Sequence, residues 1–144
     1  MLSLERAITL AAEAHAGQTD KAGAPYILHL LRVMQAQNSK EAMMVGVLHD
    51  LVEDTGYTLD DLREQGYPSE VIAALRHVTK KDEESYTEFI KRIGRHPIAR
   101  QVKVADLKDN MDMTRFESVT AKDTERLRKY HQAHQQLTTK YKPR

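Results

Sequence analysis

Apolar residues recur along this chain at intervals of three and four, the spacing of helices that bury one face. Leu4, Ile8, Ala11 and His15 share such a face, and the segment stops at Gly17. A loop from Gln18 to Pro25 leads into a second apolar segment, Tyr26 to Gln37. Ser39 is placed to cap a helix running to Asp54. Thr58-Leu59-Asp60-Asp61 reads as a capping box for a short helix ending near Gly66, and Ser85-Tyr86-Thr87-Glu88 matches the same signal. Pro68-Ser69-Glu70 opens another helix, with Val71, Ile72 and Leu75 apolar. Pro97 starts one that carries Val102 and Val104 inward and continues to about Asn110. Thr120 to Tyr141 is long and polar, with a thin stripe of Leu127, Tyr130 and Leu137. No run alternates as a strand would, and no repeat or linker is visible. The pattern predicts a single all-α domain over residues 1–144.

Composition narrows the function classes. The 22 basic and 21 acidic residues nearly cancel, for a net charge of +1, which argues against a broad nucleic-acid surface. The chain has no cysteine, so disulfides, thiolate metal sites and a cysteine nucleophile are excluded. Glu5, Arg6 and Glu13 interrupt the N-terminal apolar positions, so neither a signal peptide nor a membrane span is expected, and the cytoplasm is the expected location.

The helix expected up to Asp54 carries the chemistry. At about 100° per residue, His49, Asp50, Glu53 and Asp54 share an arc of roughly 140°, with Val45, Leu48 and Val52 opposite. Three carboxylates and an imidazole on one face need a positive group among them, and a divalent metal is the simplest one. His29, early in the second apolar segment, and Asp106, near the end of a later helix, are further donors. Two imidazoles and two carboxylates with open positions suit Mn²⁺ or Fe²⁺ better than structural zinc. The open positions would hold an attacking water and a substrate oxygen. Glu53, one turn from His49 and Asp50, is placed to take a proton from that water. Acidic groups at a helix C-terminus oppose its dipole, and that unfavourable placement also points to function.

The order His29…His49-Asp50…Asp106 resembles the HD superfamily of metal-dependent phosphohydrolases. The flanking text is narrower. Ala14-His15-Ala16-Gly17-Gln18, Lys21 to His29, Leu48 to Thr55 and Lys103-Val104-Ala105-Asp106 resemble the hydrolase domain of Rel/Spo-type enzymes, which remove the 3′-pyrophosphate of guanosine tetra- and pentaphosphate. That resemblance implies an HD-domain helical bundle in which His29, His49, Asp50 and Asp106 hold the metal, usually Mn²⁺. It also implies that Glu53 and Asp54 position and deprotonate the water, and that Lys21 and Asn110 contact the nucleotide. The chain departs from the family in its nucleotide-facing residues and beside the first metal histidine. Asp20 stands where an arginine usually packs on the guanine. Leu107 and Asp109 replace the arginine and histidine of the family's Asp-Arg-Leu-His-Asn, and Leu30 replaces a proline.

The function expected is metal-dependent hydrolysis of a nucleotide phosphate, foremost a guanosine 3′-pyrophosphate, by a small stand-alone hydrolase. The alternatives are an HD phosphohydrolase for another nucleotide or phosphoester, such as an NADPH phosphatase, and a non-catalytic metal-bound nucleotide sensor. His15 reads as a core residue. His77, His96, His131 and His134 read as surface groups, as do the runs Lys80–Glu84 and Lys140–Arg144. The oligomeric state is left open.

Overall fold

A computed structural model describes residues 2–139. Among them the chain forms nine helices and no strand: α1 (Leu4–Ala14), α2 (Ile27–Gln35), α3 (Lys40–Leu48), α4 (Leu51–Asp54), α5 (Leu59–Glu64), α6 (Ser69–Val78), α7 (Tyr86–Gly94), α8 (Pro97–Asn110) and α9 (Ala121–Thr139). The architecture is all-α, as the periodicity predicts. Lys140–Arg144, expected as solvated surface, and the end of the last helix at Tyr141 lie outside the described residues.

The centre of the bundle is α3. Ala42, Met44, Val45, Gly46, Val47 and Leu48 are all buried, so this helix is apolar nearly all round. It packs against α1, α2, α6 and α8. The helix starts follow the sequence signals: Ser39 accepts from the Ala42 N–H at 3.1 Å, and Thr58 and Asp61 cap each other reciprocally. Ser85 accepts from the Glu88 N–H, without a returning bond from the Glu88 side chain. Thr120 and Asp123 form a reciprocal box ahead of α9 that the sequence reading passed over. His96, expected as a surface group, instead caps α8, its Nδ1 accepting from the Ala99 N–H at 3.3 Å.

One expectation needs correcting. The helix predicted from Ser39 to Asp54 is broken after Leu48. Asp50 takes φ −100° and ψ 3°, a bridge-region conformation that turns the chain before the four-residue α4 begins. The break separates the end of α3, with His49, from the segment carrying Glu53 and Asp54.

Gly46 shows how tightly α2 and α3 approach. A Cβ there would lie 3.0 Å from the Met34 Cα and 3.2 Å from the Met34 nitrogen, both backbone atoms that cannot swing aside. Gly46→Ala is expected to destabilise the fold by about 1–3 kcal/mol, the usual cost of overpacking a close contact. Urea denaturation measures it, and an unchanged midpoint would contradict the closeness of the two helices.

Candidate metal centre

Three helices bring the sequence-picked donors to one buried point. His29 comes from the first turn of α2, His49 and Asp50 from the break after α3, and Asp106 from the third turn of α8. His29, His49 and Asp106 are each no more than 5% exposed. His29 Nε2 lies 2.9 Å from Asp106 Oδ1, His49 Nε2 lies 3.3 Å from the same oxygen, and His49 Nε2 lies 3.1 Å from Asp50 Oδ2. One donor atom each from His29, His49 and Asp50 falls within a 4.8 Å span.

Neighbouring groups aim these donors. His49 Nδ1 donates to the Gly46 carbonyl at 2.6 Å, so Nε2 is the ring nitrogen that carries the lone pair whenever the imidazole is neutral. That Nε2 is buried and has no hydrogen-bond partner, since neither nearby carboxylate meets it with hydrogen-bond geometry. Cis ligands of an octahedral divalent ion stand roughly 3 Å apart. The spacings above, the orphaned imidazole nitrogen and the N/O donor set therefore fit a divalent ion held by His29, His49, Asp50 and Asp106.

A second layer of contacts was not visible to the sequence reading. His29 Nδ1 donates to Asp109 Oδ2 at 2.6 Å, and Arg32 grips the same carboxylate with Nε at 2.6 Å and Nη2 at 3.0 Å. Asp109, which the sequence shows only as a departure from the family's histidine, thus orients the His29 ring. Lys103 Nζ bonds Asp106 Oδ2 at 2.9 Å and leaves Oδ1 facing the two imidazoles. The Tyr26 hydroxyl donates to Asp50 Oδ2. A signal was present: His29 and Arg32 are i,i+3 on α2, and Asp106 and Asp109 are i,i+3 on α8, so two helix faces carry complementary pairs.

Electrostatics follow from this crowding. Burial opposes charge on His29, but its bonds to Asp106 and Asp109 outweigh that and hold its pKa above the ordinary value. Burial likewise opposes charge on His49, and the charges of Asp50 and Asp106 outweigh it and hold its pKa well above the ordinary value. Asp106 sits well below the usual carboxylate range: burial pushes it up, and Lys103 and His49 outweigh that. Asp54 is raised, by burial first and then by the charges of Asp50 and Glu53.

The remaining sequence-picked residues border the cluster. Glu53 and Asp54 are exposed, and both line a cavity of about 380 Å³ that also touches Lys21 and Asn110. Asn110 also donates to Asp106 Oδ1 at 3.1 Å, so it steadies that carboxylate as well as lining the cleft. Arg115 and Arg126, which the sequence reading did not single out, line the same cavity and, with Lys21, an adjoining one of about 560 Å³. A larger cavity, about 680 Å³, opens on Arg32, Val104 and Leu137 and reaches neither Glu53 nor Asp54; the smaller one, walled by that pair and by Tyr26 and Asn110, which bond Asp50 and Asp106, is the relevant cleft. Asp20 turns its carboxylate into its own loop: Oδ1 accepts from the Ala22 and Ala24 N–H groups, both at 2.9 Å, and Oδ2 is buried. His15 is buried, as expected. Its Nδ1 lies 2.8 Å from Gln18 Oε1, and Gln18 Nε2 donates to the Asp54 carbonyl at 3.1 Å.

No family model matches the chain. A probable GTP pyrophosphokinase of Mycobacterium leprae is 36% identical over 126 residues, covering 78% of this chain and 16% of that protein. A guanosine-3′,5′-bis(diphosphate) 3′-pyrophosphohydrolase of Haemophilus influenzae is 32% identical over 117 residues, covering 71% of this chain and 17% of that protein. The chain thus spans about one-sixth of the length of these curated relatives. Among solved structures, a metazoan SpoT ortholog superposes with a TM-score of 0.77 at 22% identity, covering 94% of this chain and 85% of that one, which establishes a shared fold.

Two outcomes are expected. Asp109→Asn should weaken Mn²⁺ binding about 10–100-fold in calorimetric titration, the usual effect of losing a ligand's outer partner. Unchanged affinity would remove Asp109 from the centre. In the metal-free chain, the imidazole pKa values are raised above 6.5, so their stabilisation is complete below that pH and is lost as pH rises through the raised values. The depressed carboxylates Asp50 and Asp106 contribute above the ordinary value of 3.8, and that contribution is lost as pH falls through their folded values. Metal-free stability should therefore peak between about pH 4 and 6.5, whereas Mn²⁺-saturated stability should rise above it, because imidazole protons compete with the ion. Thermal melts with and without Mn²⁺ check this. Metal-free stability that climbs from about pH 7 to 9 would contradict it.

Proposed function

This chain is a Rel/Spo-like domain of the HD type, and from that premise we propose that it is a metal-dependent phosphohydrolase that removes the 3′-pyrophosphate from a guanosine 3′,5′-bis(diphosphate). The convergence of two imidazoles and two carboxylates at 2.9–3.3 Å beside an exposed Glu53-Asp54 pair carries this reading. Relatives bear the names of both a hydrolase and a pyrophosphokinase. A donor set built for a divalent ion next to a base favours hydrolysis.

His29, His49, Asp50 and Asp106 would hold Mn²⁺ or Fe²⁺. When bound, such an ion supplies Lewis acidity and charge neutralisation at the phosphoryl group. Glu53 Oε1 accepts from the Lys80 N–H at 2.6 Å, which leaves Oε2 to take a proton from the attacking water. Water oxygen bonds to the phosphorus nearest the ribose, and the bond from that phosphorus to the 3′ oxygen breaks. Pyrophosphate leaves, and the 3′ oxygen gains a proton. Asp54, whose pKa is raised, is suited to share that proton with Glu53. Lys21, Arg115 and Arg126 line the cleft as cations for the remaining phosphates, with Phe116 and Tyr130 as apolar wall for a base.

One observation favours a second reading. With its carboxylate folded into the loop, Asp20 offers the base no guanidinium to stack on, which points to another nucleotide, NADPH among them. A turnover panel separates the two. Mn²⁺-loaded protein is expected to release pyrophosphate from guanosine tetraphosphate, with Glu53→Gln losing about 10²–10⁴-fold while still binding Mn²⁺. Turnover of NADPH or a simple phosphoester alone would move the substrate. Full activity in Glu53→Gln would remove Glu53 as the base, and silence on every substrate by Mn²⁺-loaded protein would make the domain a sensor.

A further inference from the structure

Glu53 is exposed on a four-residue helix, yet a base must be held still to work. What holds it is a backbone group of another segment: the Lys80 N–H, 2.6 Å from Glu53 Oε1. Lys80 lies in the loop between α6 and α7, a run of lysines and acids that the sequence presents as plain solvated surface. The loop is clamped from the far side. Arg92, on α7, donates from Nη1 to the Arg76 and His77 carbonyls at 3.1 and 3.2 Å, and from Nη2 to the Thr79 carbonyl at 2.9 Å. These are C-terminal carbonyls of α6, the groups a helix end leaves without partners. The same guanidinium grips Glu84 with Nε and Nη2, both at 2.8 Å, and Glu84 also accepts from the Lys81 N–H at 3.2 Å. That grip holds the Glu84 carboxyl down at about 2. One side chain thus ties the end of α6, the loop beyond it and α7 into a single piece, with the Lys80 N–H at its tip.

Given that Glu53 is the base, we propose that Arg92 is its positioning residue, acting through the Arg92–Glu84 clamp and the backbone of Lys80. Arg92 bonds neither to the four proposed metal donors nor to the residues lining the cleft, so beyond its structural bonds its route to the site runs through the Lys80 N–H and Glu53. Asp54 is held from the opposite side, by Gln18 on its carbonyl. Loss of the clamp therefore frees the Glu53 carboxylate while the rest of α4 stays anchored.

The test compares full-length Mn²⁺-loaded Arg92→Met with the parent on guanosine tetraphosphate, or on whichever panel substrate is turned over. The expected result is a kcat lower by about tenfold to a hundredfold, the scale of a misplaced catalytic group. KM and Mn²⁺ affinity should be unchanged, and in the metal-free chain the Lys80 amide proton resonance should move away from its carboxylate-bonded position. In a Glu53→Gln background, Arg92→Met should cost nothing further. Glu84→Gln, which loosens the same clamp, supplies the comparison if Arg92→Met does not fold. An unmoved Lys80 resonance, an unchanged kcat, or an equal loss in both backgrounds would overturn the positioning role. Failure of the base assignment looks different: Glu53→Gln would then keep its turnover, whereas the Lys80 resonance would still report whether Arg92 holds the loop.

Discussion

The structure depends on keeping two imidazoles and two carboxylates together in a buried place. His29, His49, Asp50 and Asp106 leave water at the crossing of α2, α3 and α8, where an uncompensated charge costs several kcal/mol, on the order expected for buried ions. Without metal, protons on the imidazoles provide the compensation, which is why their pKa values rise while those of the carboxylates fall. With a divalent ion, two positive charges replace those protons. On the proposal that this cluster is a metal centre, pH would decide the exchange between the ion and the imidazole protons.

The surrounding fold serves that cluster in layers. Gly46 lets α2 approach α3 closely, and its carbonyl also fixes the tautomer of His49. Asp109 and Arg32 orient His29, while Lys103 takes the second oxygen of Asp106. Outside the cluster, loops on two sides hold the short α4: Gln18 through the Asp54 carbonyl and Lys80 through the Glu53 carboxylate. The break after α3 makes this arrangement workable. A continuous helix would fix Glu53 rigidly to His49, whereas the turn at Asp50 leaves its direction to be set by the α6–α7 loop.

Helical periodicity and caps made most of the fold legible in advance. Ser39, Thr58 and Pro97 mark true helix starts, because capping is local chemistry. The turn at Asp50 was not legible, since no glycine or proline announces it; its neighbours, His49 on the Gly46 carbonyl and Asp50 under Tyr26, depend on tertiary contacts. The four proposed ligands were readable from residue type and order. Their partners were not, because Arg32 and Asp109 are 77 residues apart in sequence and meet only through the packing of α2 on α8. The run Lys80–Glu83 is exposed, as its charges predict, but the grip of Arg92 on Glu84 was not legible for a similar reason. A charged run looks solvated until a distant arginine is found to organise it.

The most direct measurement is pulsed electron paramagnetic resonance on the Mn²⁺-loaded chain, which detects nitrogen nuclei bonded to the ion. Coupling to two imidazole nitrogens, reduced to one in His29→Ala and again to one in His49→Ala, is the result the proposed centre predicts. Bound Mn²⁺ with no imidazole coupling, or no stoichiometric Mn²⁺ at neutral pH, would contradict a metal centre at the crossing of α2, α3 and α8.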